Sequence, residues 1–239
     1  MDSNLSSVLM TGIIFMNIYT VKWGDKYSVD YVNKIAYDIA ADFPEANRKM
    51  YCITDDPTGL VDFVEPILIP EDNDLERWWN KMYLFSPLVE QTGEKLFFDL
   101  DILIQHDITA FEDFDPGICL GIVKTWWHDL ERMREETKHV PHKFSDINSS
   151  ILRWNDNFDG KELWEYFNKY KQQIMWHYRG IDNFLCDKHV IPMKIFPLGW
   201  VYSFNQGYIY PQDTEKHVYR ELPYVCLFDS MGKSEDVKI

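Results

Sequence analysis

Two acids one residue apart, Asp99 and Asp101, close the apolar run Lys95-Leu96-Phe97-Phe98 with only Leu100 between them. On an extended segment alternate side chains share a face, so both carboxylates would point one way and Leu100 the other. Two adjacent negative charges repel, and the usual remedy is a cation between them. Hard oxygen donors without neighbouring cysteine or histidine suit Mg²⁺ or Mn²⁺, which a few carboxylates hold together with the phosphates of a substrate. The spacing therefore predicts a metal–nucleotide site at the end of a strand.

Other candidate chemistry is weaker. His128, His139 and His142 lie in a polar segment without the neighbours of a zinc site. Cys52, Cys119, Cys186 and Cys226 are widely spaced and form no Cys-x-x-Cys pair, which reads as free thiols in a reducing, cytoplasmic setting. The run Asp129 to Lys138 reads as a solvated helix face. Trp78, Trp79, Trp126, Trp127 and Trp200 suit core or interface, with Trp200, beside Gly199, the one kept as a sugar-stacking candidate.

With 239 residues, 46% hydrophobic and 16% aromatic, the chain can build one large core, and residues 1–239 are expected to form a single domain. The net charge of −15 excludes a general nucleic-acid binder, which needs a basic surface. Any anionic nucleotide must be neutralised locally, by a metal or a few placed cations. Val8 to Tyr19 is apolar but too short to span a membrane, and it reads as a first strand rather than a signal peptide.

These residues need elements to position them. The first half alternates strand and helix. A strand at Gly12 to Tyr19 is followed by a turn at Trp23-Gly24-Asp25. Ser28 caps a helix whose Val32, Ile35, Ala36, Ile39, Ala40 and Phe43 share a face, and Pro44 ends it. Strands follow at Lys49 to Thr54 and Val64 to Ile69, then a helix at Trp78 to Phe85 and the strand that carries the acids. The second half is mixed: strands at Ile118 to Val123 and Asn148 to Trp154, and a helix after Gly160 with Leu163, Phe167, Tyr170 and Ile174 on one face. Short β pieces follow at Val190 to Ile195, Trp200 to Phe204, Tyr208 to Tyr210 and Val225 to Phe228. The pattern is α/β: a mostly parallel central sheet flanked by helices, with a site at the carboxyl ends of its strands.

Thr54-Asp55-Asp56, Trp78-Trp79-Asn80-Lys81, Leu96-Phe97-Phe98-Asp99-Leu100-Asp101, Asn148-Ser149-Ser150-Ile151-Leu152-Arg153-Trp154 and Tyr178-Arg179-Gly180-Ile181-Asp182-Asn183 occur in that order. Over about residues 13–233 this set resembles the glycogenin-like glycosyltransferases of the GT-A fold, in particular bacterial and viral members. The resemblance implies a nucleotide-binding half at 1–110 and an acceptor-side half at 111–239. It implies Mn²⁺ or Mg²⁺ on Asp99 and Asp101, donor contacts from Lys81, and Asn148 and Asp182 beside the donor sugar, with Asn183 where the family has glutamine. It also puts Tyr19, Thr20, Val21 and Asp55 near the base and ribose. In the family a late His-Gly-x-x-Lys-Pro segment supplies a third metal ligand and a phosphate contact. The counterpart here is Phe228 to Ser234, in which Lys233 is kept and Asp229 replaces the histidine.

The function implied is transfer of a sugar, with retention, from a nucleotide-diphosphate donor (a UDP-sugar first among them) to a hydroxyl of a glycan, lipid or protein. A non-catalytic nucleotide-sugar-binding protein is the alternative from another class. A sugar nucleotidyltransferase would need a Gly-rich basic phosphate loop after the first strand, which Thr20 to Asp25 does not provide. A haloacid-dehalogenase-type phosphatase would carry its Asp-x-Asp on the opening strand with Thr or Val where Leu103 stands, and here several elements precede the pair.

Overall fold

The computed structural model describes residues 15–42, 47–90, 92–187, 191–204 and 224–228. The expected strand at Tyr208 to Tyr210, the helix-ending Phe43 and Pro44, and both Asp229 and Lys233 lie outside them. Strand β1 (Met16–Lys22) leads into helix α1 (Val29–Asp42), which returns to β2 (Arg48–Thr54) and β3 (Val64–Leu68). A 3₁₀ helix, Arg77–Phe85, precedes β4 (Glu94–Phe98), then come β5 (Ile102–Ile104), α2 (Thr109–Asp113), β6 (Leu120–Lys124) and α3 (Leu130–Thr137). After a short 3₁₀ turn at Pro141–Lys143 follow β7 (Ile147–Trp154), α4 (Gly160–His177), α5 (Ile181–Leu185), β8 (Met193–Ile195), β9 (Val201–Ser203) and β10 (Val225–Leu227).

Seven strands form the main sheet in the order β3-β2-β1-β4-β7-β6-β8. The first four run parallel, while β7 is antiparallel to both β4 and β6. Strands from both halves of the chain thus share one sheet. Because β2 and β4 flank β1 on opposite sides, the chain leaves β1 in one direction and later returns to its other edge. That reversal opens a crevice at the carboxyl ends of β1 and β4, where ligands of open α/β sheets bind.

The sheet is covered on both faces, which its strands record as continuous burial. β1 is buried at all seven positions, so it carries no inside–outside alternation. Tyr19, Val21, Ile53 and Phe97 pack on one face with the 3₁₀ helix and α4. Ile18, Cys52, Leu96 and Phe98 pack on the other with Val32, Ile35, Ala36 and Ile39 of α1. A second sheet, β5-β10-β9, covers part of that face.

Several details differ from the sequence reading. Ser28 does not cap α1 with its hydroxyl, which instead donates to the Asp30 carboxylate at 3.2 Å. Ala40 is exposed. In α4, Leu163, Phe167 and Ile174 are buried but Tyr170 is 38% exposed. Its backbone leaves helical geometry (φ −118°, ψ 17°), so the helix kinks there and turns the ring away from the shared face. Trp200 is packed among Phe111, Phe114, Phe196 and Tyr224 and is not among the residues that line the crevice. The described cysteines are all free, with Cys52 and Cys226 buried.

Candidate active site

The crevice is a cleft of about 680 Å³ at the carboxyl ends of β1, β4 and the bulged start of β7. Asp99 and Asp101 both line it, and Leu100 between them is buried in the core. β4 ends at Phe98, so the pair sits in the bend between β4 and β5 and not on the strand itself. The sheet ladder nonetheless reaches one step further, because the Asp99 N–H donates to the Ser150 carbonyl oxygen at 2.8 Å. This anchors the first acid while the chain turns.

Lys81, on the 3₁₀ helix, places its ammonium 2.6 Å from Asp99 Oδ2 and 3.5 Å from Ser149 Oγ. Burial works against its charge, but Asp99, Asp182 and Asp101 outweigh that and hold Lys81 above the usual lysine range. It is therefore a fixed cation at neutral pH. Burial, and after it the charge of Asp101, pushes Asp99 up from the ordinary carboxylate range, while Lys81 pulls it back. The Tyr27 hydroxyl donates to Asp101 Oδ2 at 3.3 Å. Burial first, then the charges of Asp101 and Asp99, keep that phenol protonated well past its ordinary range.

Asn148 and Asp182 meet these groups from the other wall. Strand β7 carries a bulge: Ile122 pairs with Leu152 but the next residue, Val123, pairs with Asn148. The extra residues lift Ser149 and Ser150 into the cleft, as bulges beside sites commonly do. The Asn148 side-chain oxygen accepts the Ser150 N–H at 2.9 Å, and Asp182 Oδ1 accepts the Ser149 N–H at 3.0 Å. Asp182 lies in the first turn of α5. Gly180 before it brings the chain close to Trp78, since a Cβ there would stand 3.0 Å from Trp78 Nε1.

Not every expected residue arrives. Val21 lines the cleft, but Tyr19 and Thr20 do not. Tyr19 is buried in the core, stacked on Tyr51 at 5.1 Å and on Trp154 at 6.1 Å. The Thr20 hydroxyl donates to the Tyr51 carbonyl at 3.4 Å. Asp55 is exposed and also off the cleft wall. It accepts the Gly24 N–H at 2.8 Å and so ties the loop after β2 to the turn after β1. Among the three histidines, His128 lines the cleft while His142 packs against His177 at 4.3 Å between ring centroids. Among the described residues, no group of three or more His, Cys, Asp or Glu is arranged to hold a metal.

The cleft also contains residues to which the sequence assigned no role in the site: Trp23, Lys26, Tyr27, Arg77, Trp78 and Arg179. Arg77 adopts φ +52°, a left-handed conformation costly for a residue with a Cβ, as it opens the 3₁₀ helix. Its guanidinium lies 5.7 Å from the Trp78 ring centroid. Only the preceding Asp74-Leu75-Glu76, a polar break before an aromatic run, hinted at a tight entry here.

Asp99 and Asp101 would be the residues to hold a hard cation here. Both are oxygen donors facing one cleft, and their mutual repulsion is only partly answered by Lys81. That donor set fits Mg²⁺ or Mn²⁺ accompanied by substrate phosphates.

No family model and no curated protein matches the chain. Solved structures do. The galactosyltransferase LgtC in complex with donor and acceptor sugar analogs superposes with a TM-score of 0.63 at 13% identity, covering 91% of this chain and 88% of that one. The apo form of the glycosyltransferase GlyE of Streptococcus pneumoniae gives 0.61 at 11% identity, covering 92% of this chain and 56% of its own. The bifunctional glycosyltransferase WbbM in its apo structure gives 0.60 at 11%, covering 92% and 46%. At such identities the likeness is one of fold, and the fold this chain has is the GT-A fold of glycosyltransferases.

Proposed function

We propose that the chain is a metal-dependent glycosyltransferase that moves a sugar from a nucleotide-diphosphate donor, a UDP-sugar first among them, to an acceptor hydroxyl with retention. The observation that carries this reading is the convergence of Asp99, Asp101, Lys81, Asn148 and Asp182 on one cleft, at the switch point of a fold shared with glycosyltransferases.

In the reaction the bond from the anomeric carbon to the diphosphate oxygen breaks, and a bond from the acceptor oxygen forms as that hydroxyl loses its proton. The main cost is charge gathered on the departing diphosphate, and groups fixed in advance around it lower that cost most. Asp99 and Asp101 would hold Mn²⁺ or Mg²⁺, whose chemistry is to stabilise that diphosphate charge. Lys81 supplies a cation whose position is set by Asp99 and whose proton is retained. Asp182, oriented by the Ser149 N–H, and Asn148, oriented by Ser150, stand where hydroxyls of the donor sugar can be held.

The competing reading is nucleotide-sugar binding without turnover, favoured by the Lys81–Asp99 ion pair, which already occupies one oxygen of the proposed metal pair. Incubation with UDP-glucose, UDP-galactose, GDP-mannose and dTDP-glucose separates the two. Release of free sugar that requires Mn²⁺ or Mg²⁺ supports transfer chemistry. Binding without metal-dependent hydrolysis of any donor supports the binder, and no binding at all removes both.

A further inference from the structure

Next to the cleft lies a second depression of about 540 Å³, lined by His142, Lys143, Trp176, His177, Tyr178 and Arg179. It forms where α4 ends and the chain runs on toward Asp182, facing the 3₁₀ turn Pro141–Lys143. Lys143 and Arg179 line the cleft as well, so the two cavities share a wall.

Its charge is the reverse of the chain's. Acids outnumber lysines and arginines 39 to 24, yet among the described residues no acid lines this depression. Elsewhere cations have found acids: Lys34 pairs with Asp38, Arg48 with Glu112, Lys81 with Asp99, Arg132 with Glu136 and Lys171 with Asp74. Among the described residues, the Lys143 ammonium and the Arg179 guanidinium have no such partner. Two imidazoles tilted against one another beside them add to the donors. Partial burial, then the charges of His177 and Lys143, hold the His142 imidazole below the usual histidine range. Like charges assembled without counter-charge are relieved by an incoming anion, and guanidinium and ammonium groups are the usual partners of carboxylate and phosphate oxygens. Trp176, 87% exposed, supplies a flat apolar face beside these donors. An aromatic ring with a wet polar rim is suited to the face of a sugar.

We propose that this depression is the acceptor subsite and that it takes an acidic saccharide, its ring against Trp176 and its carboxylate or phosphate on Arg179 and Lys143. The assignment of acceptor rests on the glycosyltransferase reading above. A neutral glycan gives no use to two unpaired cations. A nucleic acid would meet the −15 charge of the whole chain.

The test titrates the full chain with glucuronic acid, glucose 6-phosphate and glucose at low salt, each with and without UDP and Mn²⁺, by calorimetry and by the histidine ring resonances. Both acidic sugars should bind at least tenfold tighter than glucose, weaken with added salt and raise the His142 pKa. The stronger of the two identifies carboxylate or phosphate as the natural anion. The double variant Lys143→Gln/Arg179→Gln should lose the acidic preference at an unchanged melting temperature, since both side chains are exposed. Trp176→Ala should weaken the acidic sugars and glucose alike. Equal affinity for glucose, or a preference that survives the double variant, overturns the subsite. A parent that binds UDP with Mn²⁺ but no acidic sugar loses the subsite and keeps the donor reading. One that binds acidic sugars but no nucleotide loses the donor reading and keeps an acidic-sugar site.

Discussion

The two ends of the central sheet are both charged and both concave, yet they are built on opposite principles. At the amino ends of β1 and β4, a depression of about 430 Å³ is walled by Arg48, Arg153, Glu94 and Glu112. There Arg48 grips Glu112 through two bonds of 2.5 and 2.6 Å. Arg153, 3% exposed, donates to the carbonyls of Phe111, Glu112 and Trp154 at 2.8 to 3.2 Å and pairs with Glu94. Two cations meet two of the four acids that line it, and backbone carbonyls take further donors of Arg153. At the carboxyl ends, Asp99, Asp101 and Asp182 line one cleft with Lys81, which pairs with Asp99, and Lys143 and Arg179 at the rim form no ion pair among the described residues. Charges answered within the chain hold a fold together, whereas rim cations without an acid partner among the described residues are open to a ligand. Glu112 and Asp99 are chemically alike, and only the inventory of partners distinguishes their roles.

The comparison predicts that substitutions at the two ends fail differently. Arg153→Met should cost the most stability, about 3 kcal/mol, because it strands Glu94 and several backbone carbonyls in a largely buried place. Urea denaturation would measure it, and a loss below 1 kcal/mol would mean that the amino end is no more structural than the cleft. Asp101→Asn should do the reverse. Removing one of two repelling acids leaves the melting temperature unchanged or raised, while metal-dependent donor turnover falls about 10²- to 10³-fold, the scale of a lost electrostatic contact at a reacting charge. Wild-type turnover in this variant at saturating Mn²⁺ would strip the pair of its proposed role.

How far this contrast could be read in the sequence depended on whether a residue's role is local. Asp99 and Asp101 were legible because type and spacing at the end of an apolar run nominate them, although they reach one cleft from the bend after β4 and not from an extended strand. The parallel sheet was legible from strand–helix alternation. Tyr19 and Val21 were not separable, because β1 is buried on both faces and carries no alternation to show which side chain emerges at the crevice. Lys81, Asn148 and Asp182 were picked out by resemblance alone. Their convergence requires the bulge in β7 and the turn into α5, which no periodicity announces. Lys143 was silent for the same reason, and Arg179 and Trp78, though they stand in the ordered motifs, showed no role of their own. The amino-end pairs, 64 residues apart for Arg48 and Glu112, exist only through the tertiary fold.

A gentler probe acts on shape alone. Gly180 has φ −173°, an extended conformation open to any residue, so Gly180→Ala introduces no backbone strain. Its new Cβ would stand 3.0 Å from Trp78 Nε1, and the indole, 41% exposed, can yield toward solvent. Stability should change by less than about 1 kcal/mol, as for surface substitutions generally. The displaced Trp78 alters the cleft wall, so the Michaelis constant for donor or acceptor should rise several-fold with kcat less affected. An unchanged Michaelis constant for both would mean that Trp78 borders the cleft without touching what it binds.

The smallest effect tests whether the cleft also carries a cost of its own. His128 lines it, and burial holds its imidazole below the usual value of 6.5. The folded chain therefore binds this proton less readily than the unfolded chain. Between the lowered folded value and 6.5 the unfolded state holds more protons, so stability rises with pH there, is complete above 6.5 and is lost as the solution is acidified below it. His128→Gln should remove this contribution: between pH 7.5 and 5 the variant should lose less stability in urea denaturation than the parent. Arg48→Gln, at the amino end and without a titrating group in this range, should keep the parent's slope while lowering stability at every pH. If the two variants show the same slope, His128 is as well solvated folded as unfolded. The strain of the carboxyl end is then confined to its acids and unpaired cations.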